Sequence, residues 1–104
     1  MPHCPLDEVL MDSDRARACI WISGRVQGVA YRAFAQQEAL QHALDGGVRN
    51  LDDGRVAVEV EGEKGAIDAL IARLRAGPRM ARVDHLEIRW EPPRNQDAGF
   101  HIWT

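Results

Sequence analysis

Residues 55–62 read RVAVEVEG, and no other stretch of this 104-residue chain narrows its fold as far. Val56, Val58 and Val60 fall on one side, and Ala57, Glu59 and Glu61 on the other. A strict period of two is a strand with one apolar face and one polar face. Just before it stands LDDG, and before that GGVRN. Asp53-Gly54 between two short runs predicts a hairpin, because glycine accepts the positive φ that tight connections require.

The remaining segments sort around this hairpin. ACIWISG alternates, with Ala18, Ile20 and Ile22 on one side and Cys19, Trp21 and Ser23 on the other. Residues 30–44 are rich in Ala, Leu, Gln and Glu, which favours a helix. Ala33, Leu40, Ala43 and Leu44 share one side of its wheel, with Phe34 at the edge and Gln36 and Gln37 intruding. Ile67, Leu70, Ile71 and Leu74 make the i, i+3, i+4, i+7 stripe of a second helix, stopped by Gly77-Pro78. VDHLEIRW is a further strand with Leu86, Ile88 and Trp90 in phase. EPPRNQDAG is a polar loop and FHIWT a short last strand. The order is βαββαβ plus a terminal strand. That predicts a ferredoxin-like α+β sandwich: a mostly antiparallel sheet, two helices on one face, and a more open face leaving Trp21 partly exposed. Residues 1–16 hold two prolines, several acidic groups and no period, so they are expected to form a flexible extension to a domain at 17–104.

The totals remove some classes of function. Hydrophobic residues are 45% and charged residues 28%, an ordinary soluble composition. A formal net charge of -3 argues against a duplex nucleic-acid binder. It leaves an anionic small molecule open, because the local field matters more than the sum. No apolar run has transmembrane length and the N-terminus does not read as a secretory signal, so a cytoplasmic protein is expected. Two cysteines are too few for a disulfide framework. Cys19 reads as a small buried hydrophobe, with a Cys4–Cys19 bridge as the lesser alternative. His3, His42, His85 and His101 lack ligand spacing, although His85 and His101 lie on strands that could approach each other. Asp45, Asp52 and Asp53 read as turn and solvating carboxylates, and Ser23 has no nearby histidine. Neither a metal site, nor a cofactor, nor a nucleophilic triad is expected.

The loop GRVQGVAYR, residues 24–32, joins the first strand to the first helix and has two readings. It is either a plain turn with a solvated Arg32 or an anion site. Helix N-terminal amides lack intrahelical acceptors, and the dipole there favours negative charge. Glycines let successive N–H groups face a ligand as a nest. A cation at that end of a helix is ordinarily unfavourable, and a phosphate held by the guanidinium would account for Arg32. The loop is neither a Walker loop nor GxGxxG. Asn50 likewise is either an ordinary residue near a turn or a carboxamide that holds a water by its carbonyl.

GRVQGVAYRAF, GGVRNLDDGRVAVEVEG and AGPRMARVDHLEI together resemble the acylphosphatase family in order and spacing, from about Ala18 to Ile102. The resemblance implies a ferredoxin-like fold and hydrolysis of carboxyl-phosphate anhydrides to carboxylate and phosphate, without metal or phosphoenzyme. It implies that Arg32 binds the phosphoryl group and Asn50 positions the water. The amide cradle then comprises Arg25, Val26, Gln27, Gly28, Val29, Ala30, Tyr31 and Arg32. A small-molecule acyl phosphate is the expected partner, with no nucleic acid, no membrane and a monomeric chain.

Some positions depart from the family's common pattern. Ala30 stands where glycine is frequent, and Tyr31 replaces the more usual phenylalanine. Ala43 replaces a frequent glycine near the helix end, so a differently built cap is expected. Gly47 stands where tryptophan is frequent, which should thin the packing beside the Asn50 strand. Two rival functions share the fold. An RNA-recognition module needs stacking aromatics on the central strands, where Glu59 and Glu61 would repel RNA. The other rival is a non-catalytic anion-binding or regulatory acylphosphatase-like module.

Overall fold

The computed structural model describes residues 14–103. Its elements are β1 (Arg15–Arg25), α1 (Tyr31–Gln41), β2 (Asp45–Asn50), β3 (Val56–Glu63), α2 (Lys64–Ala76), β4 (Arg82–Glu91) and β5 (Phe100–Ile102). They form one sheet in the order β4-β1-β3-β2-β5. All neighbours are antiparallel except β2 and β5, which run parallel. This is the ferredoxin-like α+β arrangement predicted from the sequence. Arg15 and Ala16, assigned from sequence to the extension, are the first residues of β1. The rest of that extension, with Cys4, lies outside the described residues.

The alternation of β3 does what its pattern dictates. Val56, Val58 and Val60 are fully buried under the helices, beside Ala18, Ile20 and Ile22 of β1. Ile67, Leu70, Ile71 and Leu74 bury the predicted stripe of α2. Trp21, on the other face, is half-buried as expected and lies under the Arg89 guanidinium, 5.4 Å from its ring centre. Cys19 is buried and forms no disulfide among the described residues, and desolvation pushes its thiol up in pKa.

Four expectations need correction. The buried face of α1 is Tyr31, Ala35 and Ala39, not Ala33, Leu40 and Ala43; Leu40 is 54% exposed. Spacing of four places these residues in one row, and the two alanines leave room for the helix to lie close to the sheet. Only Leu44 of the expected stripe is buried, and it lies beyond the helix. Second, Glu61 faces the open side of β3 but is buried, paired with Arg17. Third, His85 and His101 cannot approach each other, because β4 and β5 form opposite edges of the sheet.

The fourth correction concerns the end of α1. The N–H of Leu44 donates to Ala39 O at 3.0 Å and that of Ala43 to Leu40 O at 3.2 Å. Together they form the Schellman cap that a glycine would build, with Ala43 at φ 55. A left-handed alanine costs about 1–2 kcal/mol through its Cβ. Glycine would return about 0.4–1 kcal/mol of that to unfolded-chain entropy. We therefore expect Ala43→Gly to stabilise the fold by roughly 0.5–1 kcal/mol, seen as a higher urea midpoint. An unchanged or lower midpoint would show that the site holds alanine without strain.

Candidate active site

The loop between β1 and α1 is shaped before any side chain is considered. The ladder of β1 with β4 shifts register between Ser23 and Gly24. Gly24 has φ 130, and a side chain there would run into the Arg82 carbonyl. The chain then turns through Gly28 at φ 75 and Ala30 at φ 63, ψ 26. Ala30 takes the left-handed conformation as the N-cap of α1, which explains why glycine suits this position. The first bond at this end is Phe34 N–H to Ala30 O at 3.1 Å. The amides of Tyr31, Arg32 and Ala33 therefore open the helix without intrahelical acceptors. The first turn carries no acidic side chain.

A cavity of about 200 Å³ lies at this helix entrance, lined by Val26, Gly28, Ala30, Tyr31, Arg32, Ala33, Asn50 and Ile102. Arg32 and Asn50, eighteen residues apart in sequence, thus share one small space. Arg32 is the one charged residue of the lining, and no ion pair among the described residues involves it. Asn50 ends β2 on the helix-covered face, in phase with buried Val48. Its side-chain oxygen is shut off from solvent and has no hydrogen-bond partner among the described residues. A buried acceptor left unmade costs about 1–3 kcal/mol.

Four residues of the expected cradle have side chains directed elsewhere. Arg25 closes β1 opposite Arg82 and is exposed. Val29 packs against the core. Gln27 donates from Nε2 to Leu51 O at 2.7 Å and to Arg55 O at 2.9 Å. One carboxamide thereby staples the loop to the hairpin that follows Asn50, and fixes the two halves of the cavity relative to each other. Tyr31 puts its ring in the core, and its hydroxyl donates to Leu74 O at 2.6 Å, in the last turn of α2. That carbonyl has no partner within its own helix. The extra hydroxyl is thus satisfied, and burial pushes its pKa far up.

The thinner packing expected beside Gly47 is made good from elsewhere in the chain. A side chain on Gly47 would run into the indole of Trp103, and the backbone N–H of Trp103 donates to Val48 O at 2.7 Å. The packing beside the Asn50 strand is therefore kept by a ring from the C-terminal strand. Sequence reasoning also missed Ala33 and Ile102 as lining residues. Ile102 carries a readable signal: it is in phase with buried Phe100 in β5, so it faces the helices and the cavity. Among the described residues no three of His, Cys, Asp and Glu gather in a metal-binding group, and no helix is long and apolar enough to cross a membrane.

A ferredoxin-like sheet with free helix amides and an arginine beside a small cavity at its first strand-to-helix junction defines a class of protein, and comparison with known proteins gives the family. The acylphosphatase family profile matches residues 18–102. An acylphosphatase of Anaeromyxobacter dehalogenans is 50% identical over 90 residues, covering 86% of this chain and 97% of the relative. One of Roseiflexus sp. is 46% identical over 89 residues, covering 86% and 96%. The crystal structure of acylphosphatase from Bacillus subtilis superposes with a TM-score of 0.83 at 31% identity, over 86% of this chain and 99% of that one. The chain belongs to the acylphosphatase family. It is an acylphosphatase, hydrolysing acyl phosphates to carboxylate and phosphate, and a non-catalytic module is not favoured.

Proposed function

We propose that the hydrolysis is carried out by Arg32 and Asn50 through direct attack of water on phosphorus, with no metal and no phosphoenzyme. The observation that carries this reading is that one cavity is lined by Arg32, which forms no ion pair among the described residues, and by Asn50, whose side-chain oxygen has no hydrogen-bond partner among them. Arg32 and the amides of the loop hold the phosphoryl oxygens. As the bond between phosphorus and the acyl oxygen lengthens, charge on those oxygens meets donors already aimed at them. The Asn50 carbonyl accepts a hydrogen bond from the water and points its lone pair at phosphorus. A phosphoryl oxygen of the substrate takes the water's proton, and the carboxylate leaves without a general acid. That suits a cavity whose lining holds no carboxylate and no histidine.

The protein acts as a monomer in the cytoplasm and binds no nucleic acid. Glu59 on the open face supports the last of these, because a carboxylate there repels a polyanion. The test of the water-positioning role is Asn50→Ala. Its kcat on benzoyl phosphate should fall about 10²-fold or more, the loss that misplacing a reacting group by about 1 Å can bring. Competitive inhibition by inorganic phosphate should persist, because Arg32 and the amides remain. Wild-type kcat in a folded variant would refute the role.

A further inference from the structure

The cavity has one wall that the phosphoryl group does not use. Ile102 is 38% exposed, one of few large apolar side chains left open in the described part of the fold, and it lines the same space as Arg32 and Asn50. A phosphate has only five heavy atoms, whereas about 200 Å³ exceeds the ~150 Å³ of a cavity that takes up a benzene ring. Space therefore remains beside the phosphate position for a small acyl group, next to Ile102 and Ala33. The lining offers no second cation and no carboxylate to recognise a charged acyl group.

The wall is also fixed in place. β5 has only three residues, yet it is tied at both ends. Gln36 of α1 donates to Phe100 O at 3.1 Å, and Trp103 N–H donates to Val48 O. The Trp103 indole lies over Gly47, so the missing side chain at position 47 is what lets the ring clamp the strand against β2. An exposed apolar side chain on a strand held this way is a preformed contact surface rather than a loose end.

We infer that Ile102 sets acyl-group specificity: it forms the apolar wall for the leaving carboxylate's substituent, and selects uncharged, apolar acyl phosphates. This rests on the Arg32–Asn50 reading of the cavity. Binding the substituent against Ile102 removes apolar area from water, and the gain grows with the size of that substituent. A phenyl ring profits more than a methyl group.

The experiment compares kcat/KM for benzoyl phosphate and acetyl phosphate in wild type, Ile102→Val and Ile102→Ser. The benzoyl-to-acetyl ratio should drop about tenfold in Ile102→Ser and only slightly in Ile102→Val, the scale on which hydrophobic pockets discriminate. A merely structural role would lower both substrates by one factor and leave the ratio unmoved, and that result would overturn the inference. Inhibition by inorganic phosphate, measured on the same variants and on Arg32→Gln, separates the two readings. Inhibition lost only with Arg32, together with an unmoved ratio, refutes the role of Ile102 alone. Inhibition kept in Arg32→Gln refutes the placement of the phosphoryl group, and with it the inference.

Discussion

Arg32→Gln is expected to lose at least 10²–10³-fold in kcat/KM on benzoyl phosphate, while keeping the fold. Three observations set the size of this effect. Arg32 is the only charge lining the cavity, so no neighbouring cation can take over its contact. It has no ion-pair partner among the described residues, so its removal strands no carboxylate. It occupies the first turn of α1, where a cation works against the helix dipole. Glutamine should therefore be neutral or slightly stabilising there. Loss of function with stability kept distinguishes a phosphoryl-binding arginine from a structural one. The variant should also lose inhibition by inorganic phosphate, since a carboxamide gives one neutral donor group in place of a charged fork.

The second large effect lies on the far face of the sheet. Arg17 is a buried cation whose side chain is 3% exposed. It meets Glu59 at 2.6 Å, Asp97 at 3.2 Å, Glu61 at 3.3 Å and Glu91 at 3.7 Å. Glu61 in turn accepts from the N–H groups of Arg94 and Asn95, each at 2.8 Å, which pins the β4–β5 loop to the open face. Burial alone would raise the Glu61 pKa. The two backbone donors and the guanidinium groups of Arg17 and Arg15 outweigh it and hold the carboxyl below its ordinary value.

Arg17→Met keeps the length of the side chain and deletes the charge, leaving Glu61 buried without its main cation. Breaking a buried pair from one side costs about 3–5 kcal/mol. Glu59 and Asp97 are partly exposed and can hydrate, so the lower end, about 3 kcal/mol, is expected. That is a large share of a typical total of about 5–15 kcal/mol. The sign of the pH dependence follows from Glu61. Its pKa is depressed by folding, so its contribution is complete above the unfolded value of about 4.3 and is lost as pH falls through the folded value. The gap in urea midpoint between wild type and Arg17→Met should therefore be widest near neutral pH and narrow below about pH 4. A gap independent of pH would mean that Arg17 acts through packing alone.

Much of this was legible in the sequence, and what was not has a common cause. The valines of β3 and the stripe of α2 were readable because period and hydropathy agree over a single local segment. The buried row of α1 was not, because two of its three members are alanines and the third is a tyrosine, fixed by a hydroxyl bond to Leu74, 43 residues away. Glu61 read as a surface residue because the arginine that buries it is 44 residues distant. β5 was placed as a strand, but its parallel pairing with β2 was not. That pairing puts Ile102 in the cavity, Trp103 over Gly47, and His101 at the opposite edge of the sheet from His85. For the site, the paired motifs singled out Arg32 and Asn50, and the structure places both on one cavity. Gln27 was expected in the cradle, but its stapling of the loop to Leu51 and Arg55 appears only when the hairpin is seen beside the loop.

The central claim is that one cavity divides its work between an arginine that holds the phosphoryl group and an asparagine that aims the water. Turnover of benzoyl phosphate and inhibition by inorganic phosphate, measured together on wild type, Arg32→Gln and Asn50→Ala, test it most directly. The expected result is that both variants lose about 10²-fold or more in turnover, while only Arg32→Gln loses phosphate inhibition. Wild-type turnover in either folded variant, or phosphate inhibition that survives in Arg32→Gln, would contradict it.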